Sequence, residues 1–98
     1  MVKHIVMWNL KDEAEGGNKK QNGGIIKQRL EALVGVIPGL LKLEVNFNFN
    51  PKGYDLALYS EFESKEALHG YDAHPAHQAV REFVHKVIEN RVVADFEV

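Results

Sequence analysis

Residues 2–10 read VKHIVMWNL. In an extended chain successive side chains point to opposite faces, so Val2, His4, Val6, Trp8 and Leu10 share one face and Lys3, Ile5, Met7 and Asn9 share the other. Apolar groups on both faces mark a central strand covered on both sides. His4 stands on the more apolar of the two faces, so an imidazole is directed inward from the first element of the chain.

The segment KDEAEGGNKKQNGG (11–24) is polar and glycine-rich without periodicity and reads as a mobile loop. A helix is predicted over 25–36, where Ile26, Leu30, Leu33, Val34 and Ile37 recur at three- and four-residue steps and Pro38-Gly39 ends the run. Residues 41–50 alternate, with Leu41, Leu43, Val45, Phe47 and Phe49 against Lys42, Glu44, Asn46, Asn48 and Asn50. The asparagines belong to a dimer seam or to solvent. NPKG (50–53) is a turn, and a third strand follows at 54–63 with Tyr54, Leu56, Leu58, Ser60 and Phe62 on one face, which makes an antiparallel hairpin.

Ser64 suits the N-cap of a short helix at 65–72 that turns Ala67, Leu68 and Tyr71 inward. Pro75 fits the first turn of another helix, running to about residue 90, with a stripe of His77, Val80, Val84, Val87 and Ile88 and with Phe83 beside it. The last strand is 91–98, Val92, Ala94, Phe96 and Val98 alternating with Val93, Asp95 and Glu97. The order β-α-β-β-α-α-β is an α+β split βαβ pattern, a four-stranded antiparallel sheet with all helices on one face, within one domain spanning 1–98. The bare face would carry Ile5, Met7, Ala57, Tyr59 and Val93, an apolar patch best buried against a second copy, sheet to sheet.

Totals narrow the class. Of the 98 residues, 45% are apolar and 27% charged, as in a water-soluble globular chain. There is no 18-residue apolar run for a membrane span, and the opening decapeptide lacks the cleavage site of a signal peptide. Cysteine is absent, which fits a reducing cytoplasm, and a net charge of −2 is unlike the footprint of a nucleic-acid binder.

His4, Tyr71 and His77 thus converge on the space between sheet and helices. An unpaired buried polar group costs about 1–3 kcal/mol, so three on separate elements are most economically grouped around a small polar pocket. Two readings stay open: a satisfied network that pins helices to sheet, or a site in which a neutral histidine accepts a proton and a tyrosine donates to a developing oxyanion. A cavity of about 300 Å³ or more would favour the second. His74 and His77, in the stretch YDAHPAH, could join His4 around a metal only if His74 turned inward. Pro75 instead makes His74 a cap, and no metal or cofactor is expected. His69 and His85 lie off the inward stripes, and Arg81, one turn after His77, either flanks the pocket mouth or, as preferred, pairs with Glu82 or Asp72 at the surface.

MVKHIVMWNLKDE, IPGL, YDLALYSEFESKEAL, YDAHPAHQAVREFV and RVVADFEV, in that order, resemble the stress-responsive α/β-barrel (Dabb) family nearly end to end. The resemblance implies a ferredoxin-like protomer and a dimer whose sheets form a central barrel. A plant polyketide cyclase of the family works without a cofactor. By that resemblance Tyr71 and His77 are the catalytic pair and His4 completes the pocket, with His77 removing a proton between two carbonyls, Tyr71 holding the enolate oxygen and His4 orienting the network. Trp8, Leu56 and His74 are then substrate-binding candidates. Two departures stand out: Leu56 replaces a further pocket histidine of that enzyme, and Trp8 a smaller aliphatic residue. Some plant relatives hold a cation on backbone carbonyls in the stretch matching Val34, Ile37 and Leu40. The expected function is a dimeric domain whose small polar pocket binds, or does cofactor-free acid–base chemistry on, a small carbonyl or aromatic compound. The alternative is a non-catalytic stress or assembly protein in which the trio is structural.

Overall fold

The computed structural model describes residues 1–98. The elements are β1 (Val2–Leu10), β2 (Glu13–Ala14), β3 (Gly17–Asn18), α1 (Lys19–Glu31), β4 (Leu40–Phe47), β5 (Leu56–Phe62), α2 (Lys65–Ala73), α3 (Pro75–Val87) and β6 (Ile88–Glu97). The fold is ferredoxin-like, a four-stranded antiparallel sheet in the order β4-β5-β1-β6 with the helices on one face. β1 is central in fact: Val6 lies opposite Leu58 on one side and Val93 on the other. Val2, Val6, Trp8 and Leu10 are buried beneath the helices with Leu56, Leu58 and Phe62 of β5.

Three segments depart from the sequence reading, each for a local reason. The polar segment 11–24 is not a loop throughout. Glu15 and Gly16 both take positive φ (50° and 76°), the requirement of a tight hairpin turn, and join the two-residue strands β2 and β3. α1 then begins at Lys19. The Asn18 side chain accepts from the Gln21 amide at 2.9 Å while the Gln21 side chain accepts from the Asn18 amide at 3.0 Å. This reciprocal cap satisfies two N-terminal amides and marks the start of α1, which continues through Gly23 and Gly24 despite their helix cost. Gly23 has a packing reason: a Cβ there would lie 2.6 Å from the Phe47 ring. The helix also ends early, at Glu31. Leu33 and Ile37 continue the buried stripe through turns, while Val34 faces out.

In β4 the alternation is broken by a bulge. Leu40 lies opposite Phe62 and Lys42 opposite Glu61, so the extra residue, Leu41, is turned outward and Leu40 takes the inward place beside Leu43 and Val45. Phe47 and Phe49, which the alternation placed on one face with Leu43 and Val45, are exposed while those two are buried. Asn48 and Asn50 are occupied by the turn itself: the Asn48 amide donates to the Tyr54 carbonyl at 2.8 Å, and the two carboxamide oxygens accept from the Asn50 and Lys52 amides.

The third departure is the register of the last strand, which starts at Ile88 because α3 stops at Val87, earlier than the predicted 90. Arg91, Val93 and Asp95 pair with Trp8, Val6 and His4, and therefore face the helix side. Val93, expected on the bare face, is thus on the opposite one. The bare face instead carries Val92, Ala94 and Phe96 beside Ile5, Met7, Ala57 and Tyr59.

Gly39 links this frame to α2. Its φ is +81°, and a Cβ would lie 2.5 Å from that of Ala67. Gly39→Ala is expected to lose roughly 2–4 kcal/mol, from left-handed strain plus overpacking, read as a lower urea midpoint at unchanged m-value.

Candidate functional site

The three polar side chains meet, as the phase of their elements requires. His4 and His77 are under a tenth exposed and Tyr71 is almost fully enclosed. The Tyr71 ring stacks on His77 with centroids 3.9 Å apart and planes 22° apart, and meets His4 edge-on at 6.2 Å and Phe62 at 5.0 Å.

Each element positions its group by a bond of its own. The Ser60 hydroxyl, buried in β5, donates to the His4 carbonyl at 2.8 Å and holds β1 at that point. Ser64 caps α2 by accepting from the Ala67 amide at 3.1 Å, which sets the phase that buries Leu68 and Tyr71. His74 caps α3: its Nδ1 accepts from the Ala76 amide at 3.1 Å, with Pro75 in the first turn, and His77 follows on the buried stripe.

Both buried imidazoles have one nitrogen committed. His77 Nδ1–H donates to the Tyr71 carbonyl at 3.1 Å, leaving the lone pair on Nε2. His4 Nδ1 is bonded to the Asp95 carboxylate, which fixes the proton on that nitrogen and again leaves Nε2 free. The Tyr71 hydroxyl donates to no protein group, and no fully enclosed side-chain oxygen lacks a partner, so this hydroxyl opens into a cavity.

That cavity has a volume of about 230 Å³. His4, Tyr71 and His77 line it together with Trp8, Leu30 and Leu58, and its mouth carries Asp72, Arg81, Arg91 and Asp95. It is smaller than the 300 Å³ size used above as a guide and has room for roughly seven waters, or one ring-sized compound, at about 30 Å³ per water. It exists because no helix lies over β6. The inner face of that strand forms an open wall where the other three strands are covered.

The electrostatics separate the two central groups. Burial, with the Asp72 charge adding to it, pushes the Tyr71 phenol above the usual tyrosine range, while Arg81 and Arg91 act in the other direction. It is a donor at any physiological pH. Burial draws His77 down from 6.5 to about 4, so near neutrality it is an uncharged acceptor.

Of the other sequence candidates, Trp8 lines the cavity as expected. Leu56 does not: it is fully enclosed in the core beside β4. His74 is occupied as a cap and is not among the lining residues. No group of three or more His, Asp or Glu side chains is arranged to hold a metal ion. Arg81 lines the mouth, the less favoured of its two sequence readings, and Asp95, Arg91 and His85 line the site without having been singled out for it. The signal for Asp95 and Arg91 was their shared parity on the last strand; what hid it was the strand's unknown register against β1.

Residues 2–98 match the Stress responsive A/B Barrel Domain, and the chain belongs to that family, Dabb. An uncharacterized protein of Streptomyces coelicolor is 33% identical over 103 residues, covering 99% of each chain. A dimeric ferredoxin-like protein of unknown function from Bacteroides fragilis superposes with a TM-score of 0.87 at 35% identity, over 99% of this chain and 95% of that one. A hydroxynitrile lyase from Passiflora edulis shares the fold, at a TM-score of 0.80 and 19% identity over 97% of this chain and 90% of its own. No helix is long and apolar enough to cross a membrane.

Two outcomes follow from the geometry. Because the native state holds His77 neutral to about pH 4 and the unfolded chain protonates it near 6.5, the unfolded state binds more protons in that interval. The melting temperature should therefore fall as the pH drops from 6.5 to 4 and level off below as far as this group is concerned, and His77→Gln should flatten the slope by close to one proton. Separately, nitrogen NMR of the wild type should show His4 protonated on Nδ1, and Asp95→Asn should mix the tautomers with little loss of stability, since Asp95 is half exposed.

Proposed function

We propose that this protein is a homodimeric domain whose cavity binds a small carbonyl or aromatic compound and performs cofactor-free acid–base chemistry on it. The observation that carries the reading is the Tyr71 hydroxyl, a donor without a protein partner, opening into a cavity lined by two imidazoles whose Nε2 atoms are free. In this reading His77 Nε2 takes a proton from a carbon between two carbonyls. Tyr71 donates to the oxygen on which the enolate charge collects, and Asp95 and His4 orient the pair. The low proton affinity of His77 restricts it to acidic carbon–hydrogen bonds. A hydroxynitrile lyase of the same fold supports small-molecule chemistry on this framework.

The homodimer would join the bare sheet faces. Ile5, Met7, Ala57, Val92, Ala94 and Phe96 supply the apolar area. The polar groups among them are already paired, Lys3 with Tyr59 and Glu61, and Tyr59 with Glu61, so the face can be covered without stranding a charge. Dimeric structural relatives favour the same assembly.

The stacking of Tyr71 on His77 and its edge contact with Phe62 favour the second reading, a non-catalytic stress or assembly protein in which the trio is packing. Exchange of the central carbon-bound protons of acetylacetone, which lie between two carbonyls, for deuterium, followed by NMR, separates the two. The active reading expects the wild type to accelerate exchange and His77→Ala to lose about 10²-fold of that acceleration. Tyr71→Phe should lose activity while keeping stability to within about 1 kcal/mol. Exchange at the buffer rate, with both variants losing folding free energy, would establish the structural role.

A further inference from the structure

The cavity is unevenly charged. Its inner walls are apolar or neutral, but its mouth holds two guanidiniums. Arg81 stands one helical turn beyond His77 on α3, and Arg91 lies opposite Trp8 on β6, so they approach from a helix and from a strand. Neither makes an ion pair within the chain, whereas several lysines do: Lys3 with Glu61, Lys19 with Asp55, Lys42 with Glu44 and Lys65 with Glu97. The mouth offers two carboxylates. Asp95 is engaged by His4. Asp95 keeps its negative charge in that bond and Asp72 reaches neither arginine within ion-pair distance, so the formal charges at the mouth balance while neither guanidinium donates to a protein carboxylate. The remaining titratable lining groups are His4, His77, Tyr71 and His85. Both guanidinium charges are felt at the Tyr71 hydroxyl, which places them within electrostatic reach of the same bound molecule.

A planar guanidinium matches a carboxylate through two parallel N–H donors, a pairing stronger than neutral hydrogen bonds. Resting on the small-molecule reading above, we infer that the cavity takes a compound with an apolar or aromatic body and one carboxylate, the carboxylate held at the mouth by Arg81 and Arg91. The body would lie against Trp8 and Leu58 with its reacting end toward Tyr71 and His77, and the anchored carboxylate would orient it.

Benzoate and benzamide, alike in shape and different in charge, test this by NMR titration of the full-length protein, following the Tyr71 and His77 ring signals. Benzoate is expected to bind about tenfold more tightly than benzamide at low salt, and less so as salt rises. In Arg81→Gln/Arg91→Gln that preference should vanish while benzamide affinity stays unchanged. Equal binding of the two probes by the wild type would overturn the inference and leave the acetylacetone result standing. So would a preference retained by the double variant, whether or not the variant alters the oligomer. If neither probe moves the ring signals, the small-molecule reading fails with it.

Discussion

The pairing of β1 between β5 and β6 is the constraint from which the rest follows. Because β1 is hydrogen-bonded on both edges, its phase cannot slip by one residue without turning Val2, Val6, Trp8 and Leu10 out of the core and the charged Lys3 into it. The same phase carries His4 inward and brings Asp95 opposite it. The buried Ser60 hydroxyl reinforces the register by donating across to the His4 carbonyl. A histidine in this position is the consequence of strand parity, and its partner on β6 makes the position tolerable in an apolar layer.

The helices complete the arrangement from the other side. Two capping interactions, Ser64 accepting from Ala67 and His74 from Ala76, set the rotation of α2 and α3 and so the stacking of Tyr71 on His77. The His77 Nδ1 bond to the Tyr71 carbonyl ties the two helices together across the break at His74-Pro75. Stability and the proposed chemistry draw on the same groups here. What distinguishes a site from a packed core is the uncovered inner face of β6, which leaves the Tyr71 hydroxyl facing space.

Much of this was legible from residue order. The strand parity of 2–10, the caps at Ser64 and His74, and the inward stripes carrying Tyr71 and His77 each predicted an orientation that the structure has. The failures are equally local. The Asn18–Gln21 cap was overlooked because the adjacent glycines read as a loop, and its effect was to move the start of α1 to Lys19. The bulge at Leu41 exchanged which leucine faces inward, since one extra residue reverses the parity of everything before it. The alternation of 91–98 was read correctly within the strand, but the face was reversed for Val93.

Local pattern determined the element types, the inward direction of His4, Tyr71 and His77, and the split βαβ order, because side-chain periodicity depends only on backbone geometry and neighbours a few residues away. Which residues stand opposite one another, the Asp95–His4 bond, the arginines at the mouth and the cavity itself belong to the tertiary structure alone. They depend on registers and gaps between segments some ninety residues apart in the chain, where no short-range spacing carries the information.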